Sequence, residues 1–225
     1  MIALMGIQKP AKPKAPQEGR KAAYFARNEA ALLKATQTVL ADIGWAAKIA
    51  DVSKAADMAA STIYMHFENK DALFEAAVLA GMKEWETWAL AQLKDVVDPF
   101  ESLVTPMRIF VRIGETHELF GRIVARNLSQ LSVRLPIIAA GLLSHVQDLA
   151  AAGDLKIENV EKRVSNLSAV LVNTLQRQLT VSGLKISDAD LAIQIALPMV
   201  GIPEAEAARL VALPLQLTKP VSEVE

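Results

Sequence analysis

The chain has 225 residues, a formal net charge of −1, and 52% hydrophobic residues of which few are aromatic. It contains no cysteine, which excludes disulfides, thiolate metal sites and cysteine nucleophiles. No run of about 18 apolar residues is free of charge, so no membrane span is expected. The opening Met1–Ile7 is too short for a secretory core and follows no basic residue, which predicts a cytoplasmic protein.

Ala and Leu are strong helix formers, and few segments alternate as strands do, so an all-α fold is expected. Residues 1–19 place Pro10, Pro13 and Pro16 among Lys9, Lys12 and Lys14, a composition that predicts a flexible basic tail. From Arg20 to about Leu40 the pattern is helical, with Leu32, Thr36, Val39, Leu40 and Ile43 on one face and Gly44 as the stop. Trp45 then packs beneath the next helix. Two short helices follow. The first covers about Ile49 to Ala56 with Val52, Ala55 and Ala56 inward; the second covers about Ala59 to His66 with Ile63 and Phe67 inward. They meet at Asp57-Met58, and one helix bracing a second is the layout of a DNA-reading helix-turn-helix.

Asn69 is placed to N-cap a long fourth helix, with Asp71 in its first turn. Phe74, Val78, Gly81 or Met82, Trp85, Ala89 and Leu93 give it a buried stripe, and its length approaches about 35 Å. Such a helix belongs to both halves of the molecule and can carry a signal between them. Asp98-Pro99 opens another helix to about Ile113, kinked at Pro106. Thr116 to Ser132 and Pro136 to about Ala151 are the next two, the latter stopping before Gly153. Ile157 to about Val181 is long, with Val160, Val164, Leu167, Leu171, Leu175 and Leu179 along one face. A capping box of Ser187 and Asp190 predicts a helix through about Leu197. Pro203 opens a last short one, and the chain frays from Lys219.

The charge is unevenly spread. Residues 1–74 carry 10 Lys and Arg against 7 Asp and Glu, while the remainder carries 14 against 18. A mildly basic amino-terminal part suits phosphate contact at that end. The tail over 1–19 then has two readings: an arm along DNA phosphates or in the minor groove, or a solubilising leader.

The run Val52-Ser53-Lys54-Ala55-Ala56-Asp57-Met58-Ala59-Ala60-Ser61-Thr62-Ile63-Tyr64-Met65-His66-Phe67-Glu68-Asn69-Lys70-Asp71-Ala72-Leu73 resembles the TetR family of one-component transcriptional regulators. The likeness covers roughly residues 25–80 and is centred on Thr62-Ile63-Tyr64-x-His66-Phe67-x-x-Lys70. It implies a DNA-binding domain over 20–74 and a helical ligand-binding and dimerisation domain over 75–225. The family's turn glycine is Asp57 here, and Met58-Ala59 replaces the usual Val-Ser. Ser61 stands at a glycine position, and Lys48 stands near a missing hydroxyl cap.

By this resemblance Thr62, Tyr64 and Lys70 contact phosphate or base edges, with Lys48 as a phosphate neighbour. His66 either donates to phosphate or is a packed imidazole. The third helix has no Arg, Asn or Gln, so the common bidentate base contacts are unavailable there. Ala59, Ala60, Ser61, Thr62 and Met65 are left to meet thymine methyls or to read DNA shape. Trp85, Trp88, Met107, Phe110 and Phe120 line an effector cavity if the resemblance extends that far, and are ordinary core otherwise. Arg108 with Arg112 and Arg122 with Arg126 either meet an anionic ligand or pair with carboxylates such as Glu115 and Glu118. His117 and His145 lack companions at metal-ligand spacing, so no metal and no cofactor is expected.

The long helix over 157–181 and the one after Ser187 resemble the pair through which the family forms homodimers. The expected protein is a ligand-responsive repressor that binds a double-stranded operator and releases it for a small-molecule effector. The alternative is a sensing or protein-interaction dimer without tight DNA binding. An enzyme is not expected: Ser61 and His66, five residues apart on one helix, face different ways, which leaves Asp57 no triad to join.

Overall fold

A computed structural model describes residues 17–134 and 137–218, and every regular element among them is helical. The basic tail expected over 1–19 lies outside the described residues except for its last three, which open the first helix. The frayed end from Lys219, and Pro136, also lie outside them.

The amino-terminal body consists of α1 (Gln17–Asp42), α2 (Ile49–Ala56) and α3 (Ala60–His66). Gly44 stops α1 with φ +86, a conformation that needs no Cβ. Leu32, Val39 and Leu40 are buried as the α1 pattern predicts, but Ile43 is left exposed beyond the last full turn, and Ala55 of α2 faces solvent. In place of a hydroxyl cap, the Asp51 carboxylate accepts the Lys48 N–H at 2.7 Å to start α2. Asp57 takes the left-handed turn at φ 50, ψ 44, and the Met58 N–H closes it on the Ser53 carbonyl at 3.1 Å. Ile63, fully buried, is the side chain that seats α3.

α4 (Lys70–Gln92) begins where expected, its Ala72 N–H received by Asn69 Oδ1 at 2.9 Å. The remaining helices are α5 (Pro99–Phe110), α6 (Ile113–Thr116), α7 (Glu118–Arg134), α8 (Ile137–Ala152), α9 (Val160–Thr180), α10 (Ile186–Ala196) and α11 (Glu204–Ala212), with a 3-10 turn over Leu197–Val200. Asp98 caps α5 through the Glu101 N–H at 2.8 Å, with Pro99 in its first turn. The helix expected to reach Ile113 ends at Phe110, and the short α6 follows. The α9 stripe is as its spacing predicts: Val164, Leu167, Leu171 and Leu175 are buried.

The α10 cap differs from expectation. Asp188, not Asp190, is the capping carboxylate, and it accepts the Lys185 N–H at 2.8 Å. Ser187 therefore lies inside the helix. Asp190 is turned inward, where Arg108 Nε reaches it at 3.2 Å and Arg112 holds it through both terminal nitrogens. Both arginines are buried, and Arg108 Nη1 also donates to the Leu213 carbonyl at 2.8 Å. Glu115 and Glu118 are not the partners. The reason is register: Asp190 lies one turn beyond the helix start, on the face that packs on α5.

Side chains of α7 join the two parts of the molecule. Asn127 Nδ2 donates to the Leu40 carbonyl at 3.1 Å, Arg126 Nε to the Ala41 carbonyl at 2.9 Å, and Arg122 pairs with Asp42. Those groups belong to the last turn of α1, whose carbonyls have no partner further along their own helix. On the other side, Gln37 Nε2 donates to the Ala77 carbonyl of α4 at 3.0 Å.

Breaking a buried charge pair by removing one partner strands the other charge. Asp190→Ala is therefore expected to lower unfolding free energy by about 3–5 kcal/mol, read by urea titration of wild type and variant.

Candidate DNA-reading face and sensor site

Tyr64 is 54% exposed and Met65 is 69% exposed on a helix of only seven residues. Large apolar groups left in water on so short an element are informative in a way that one exposed leucine is not. Ala59, Ala60 and Ser61 are exposed beside them, Thr62 is half-buried, and Lys48 is exposed at the start of α2. A groove between α2 and α3 is bordered by Ile49, Ser53, Lys54, Asp57, Ala60 and Tyr64. Lys54, exposed in the last turn of α2, is a basic group on this groove that the motif comparison did not single out. Its signal in the sequence is a lysine three residues before the turn.

Two expected contacts are placed elsewhere. The Lys70 ammonium donates to the carbonyls of Trp45 at 3.0 Å and Ala47 at 3.3 Å, and stands 5.2 Å from the Phe74 ring centroid. Trp45 in turn sets its edge on Phe74 and donates to Asp71 Oδ1 at 3.0 Å. Lys70 thus ties the α1–α2 loop to the start of α4. The His66 side chain is 2% exposed, stacked on Phe25 at 3.9 Å between centroids, with Glu29 beyond hydrogen-bond range at 3.9 Å. This takes His66 off the exposed face. It also separates it from the exposed Ser61, so those two residues form no nucleophile–base pair.

The residues expected to line an effector cavity lie along one side of α4. A Cβ on Gly81 would stand 3.0 Å from the Phe120 ring, so that ring uses the space the glycine leaves. One turn on, Trp85 meets Phe110 edge-on at 6.1 Å. Three residues further, Trp88 meets His117 edge-on at 4.9 Å. Positions 81, 85 and 88 share a helical face, which looks toward the corner made by α5, α6 and α7. Met107 is buried one turn before Phe110. The structure thus brings Trp85, Phe110 and Phe120 onto one seam, sets Met107 in the adjoining core, and turns Trp88 toward His117 and the carboxy-terminal segment. Trp88 Nε1 donates to the Thr218 carbonyl at 3.0 Å, and the Thr218 N–H and hydroxyl both reach Gln92 Oε1 at 3.0 Å.

His117 is the functional candidate that spacing alone did not reveal, because a lone histidine carries no metal-ligand pattern. Its Nδ1 lies 3.1 Å from Thr116 Oγ1, and that hydroxyl donates to the Arg112 carbonyl at 3.3 Å. The Thr116 hydroxyl thus stands between the His117 ring and the Arg112 carbonyl. Nε2 is buried with no hydrogen-bond partner, and so is Trp85 Nε1. Burial lowers the His117 pKa from its ordinary value, with the Glu84 carboxylate opposing the shift. Among the described residues no cluster of three metal-ligating side chains exists. None of their helices is long and apolar enough to cross a membrane.

An exposed short helix braced by α2 and followed by a larger helical body is a helix-turn-helix arrangement. Residues 32–77 match the family model for bacterial regulatory proteins of the tetR family. Solved structures share the fold. RolR in complex with resorcinol is 21% identical with a TM-score of 0.65, over 87% of this chain and 98% of that one. A TetR family transcription regulator from Marinobacter aquaeolei VT8 is 22% identical with a TM-score of 0.58, over 80% and 97%. The fatty acid degradation regulator FadR from Bacillus halodurans is 16% identical with a TM-score of 0.60, over 77% and 95%. No curated protein matches the sequence. Over residues 32–77 the chain thus resembles the bacterial regulatory proteins of the tetR family, and its fold is similar to that of solved TetR-family regulators.

The lowered His117 pKa has a signed consequence. The unfolded chain takes up this proton near pH 6.5, while the folded chain resists it to lower pH. Stability is therefore full above that value and falls as pH drops through it. His117→Phe is expected to flatten the fall in Tm below pH 6.5, read by thermal unfolding across pH 5 to 8.

Proposed function

We propose that the protein is a homodimeric repressor that binds a double-stranded operator and is released from it by a small molecule. The observation that carries this reading is the exposed α3 face: Tyr64 and Met65 stand in solvent while Ile63 and the His66 ring hold the helix down. Residues 20–74 then read DNA. Ala59, Ala60 and Met65 suit thymine methyls, Ser61, Thr62 and Tyr64 offer hydroxyls, and Lys48 with Lys54 meets phosphates. The basic residues of 1–19 add to the same charge. Lys70 acts by holding the loop beneath this face, and any phosphate contact it makes is secondary to that bond.

Residues 75–225 supply sensing and dimerisation. Leu191, Ile195 and Met199 are all exposed at four-residue steps on α10 and the 3-10 turn after it. An apolar stripe of that kind calls for a covering surface, and a second copy of the same stripe provides one. Two reading heads held by such a pair meet successive major grooves about 34–36 Å apart. The solved RolR complex contains resorcinol, and its shared fold supports a small-molecule effector here, at the Trp85, Phe110 and Phe120 seam with Met107 and Trp88 flanking it. Effector and operator favour different spacings of the heads, so by linkage each weakens the other's binding equally.

A second reading has its own support. α3 lacks Arg, Asn and Gln, and the exposed Asp57 carboxylate borders the groove. These features suit a sensor on the same scaffold without tight operator binding. A salt-controlled titration of DNA from beside the gene, with unrelated DNA as competitor, separates the two. The repressor reading expects a complex that survives competitor and a slope of log affinity against log salt that Lys48→Ala reduces by about 1. Equal, weak binding to both DNAs overturns it in favour of the sensor.

A further inference from the structure

Asp57 holds a conformation that favours glycine, φ 50 and ψ 44, in the turn between α2 and α3. An aspartate tolerates it best when its own carboxylate bonds to the backbone nearby. Here it does not. The turn is closed by the Asp57 and Met58 N–H groups on the Ser53 carbonyl, and the Ser53 hydroxyl donates to the Met58 carbonyl. Asp57 is exposed, and among the described residues its carboxylate has no hydrogen-bond or ion-pair partner. A strained backbone position whose side chain has no local use points to a use outside the turn.

The carboxylate borders the groove between α2 and α3, three residues ahead of Ala60, where α3 begins. In a helix-turn-helix the first residues of the second helix are those that meet base edges. Of the groups bordering the groove, Asp57 alone carries a charged acceptor. Ser53 and Tyr64 are hydroxyls, Lys54 only donates, and Ile49 and Ala60 are apolar. Facing phosphates, a carboxylate would be repelled. Facing base edges, it has one kind of partner, an exocyclic amino group. Cytosine and adenine both present one in the major groove. Adenine sets its N7 acceptor beside the amino group, so a carboxylate there meets a second lone pair. Cytosine presents the donor without that acceptor.

We propose that Asp57 is a specificity-determining residue whose carboxylate accepts the amino N–H of a cytosine at one position of each half-site. It supplies a polar base contact that α3, without Arg, Asn or Gln, does not. On any other sequence the same carboxylate lowers affinity, because a charge brought among phosphates without a donor is repelled and desolvated. Asp57 thus weakens binding to DNA at large and spares the sites that carry the cytosine. This inference rests on the repressor reading and names a base that its DNA-reading face selects.

The test is selection of bound duplexes from a pool randomised over about 20 base pairs, enough for two half-sites one turn apart. It is run with the full chain and with Asp57→Asn and Asp57→Gly, both of which suit the left-handed turn. Thermal unfolding shows that each variant is folded before selection. The wild type is expected to enrich cytosine at one symmetry-related position per half-site, and replacing that pair to weaken binding at least about fivefold. Asp57→Asn adds a donor for adenine N7 and is expected to move the preference at that position to adenine. Asp57→Gly is expected to lose the preference there, keep the rest of the profile and bind unrelated DNA more tightly. A wild-type profile without that cytosine overturns the inference and leaves the repressor reading standing. So do three identical profiles, or a glycine variant that tightens binding equally on every sequence, cytosine sites included. No enriched sequence for the wild type overturns both.

Discussion

The last turn of α1 ends in carbonyls that its own helix cannot satisfy, and α7 satisfies them. Asn127 and Arg126 donate to Leu40 and Ala41, and Arg122 pairs with Asp42. The rest of the molecule depends on this junction. Gly44, immediately beyond it, turns the chain so that a Cβ there would press on Arg126 and Asn127 at 3.1–3.2 Å. A helix end capped from another domain makes the angle between the domains part of the hydrogen-bond count: tilting α1 away from α7 leaves buried carbonyls unpaired.

Two other elements brace the same junction. Gln37 fixes the middle of α1 to α4 through the Ala77 carbonyl, and Lys70 fastens the loop after α1 to the first turn of α4. The amino-terminal body is therefore held by α4 on one side and by α7 on the other. Both helices also border the aromatic seam proposed to take the effector, α4 through Gly81, Trp85 and Trp88, and α7 through Phe120 with His117 just before it. In the proposed function, a molecule placed between them would act on both supports at once, which is the kind of shared element that coupling requires. Further from DNA, Arg108 and Arg112 bind α5 to α10 through Asp190, which connects the seam's back wall to the exposed stripe of Leu191 and Ile195.

The helix-turn-helix is legible in the sequence because its signals are local. Asp57 at the turn, Ile63 as the seat and Asn69 as the cap are each fixed by spacing of a few residues. The stripe of α9 is legible for the same reason. What the sequence hides is partnership across distance. Thr62, Tyr64, His66 and Lys70 look alike as polar groups at helical spacing, yet Phe25 covers His66 from α1 and the Trp45 loop captures the Lys70 ammonium. Asp190 resembles a cap in sequence because a serine lies three residues before it, but the two arginines of α5 draw it inward, and Asp188 caps instead. His117 has no motif at all. Its place comes from contacts across the fold: Thr116 beside Nδ1, the Trp88 ring against it, and burial that leaves Nε2 without a partner.

The most direct measurement is the distance between the two reading heads in the proposed dimer, free of DNA. The chain has no cysteine, so Ala55→Cys, on the exposed side of α2, accepts one spin label per protomer. Pulsed electron spin resonance on this protein is expected to give one narrow interspin distance. Adding Arg126→Ala and Asn127→Ala is expected to broaden it while the dimer persists. A distribution that the double substitution leaves unchanged, or a labelled protein with no interspin distance, would contradict the account.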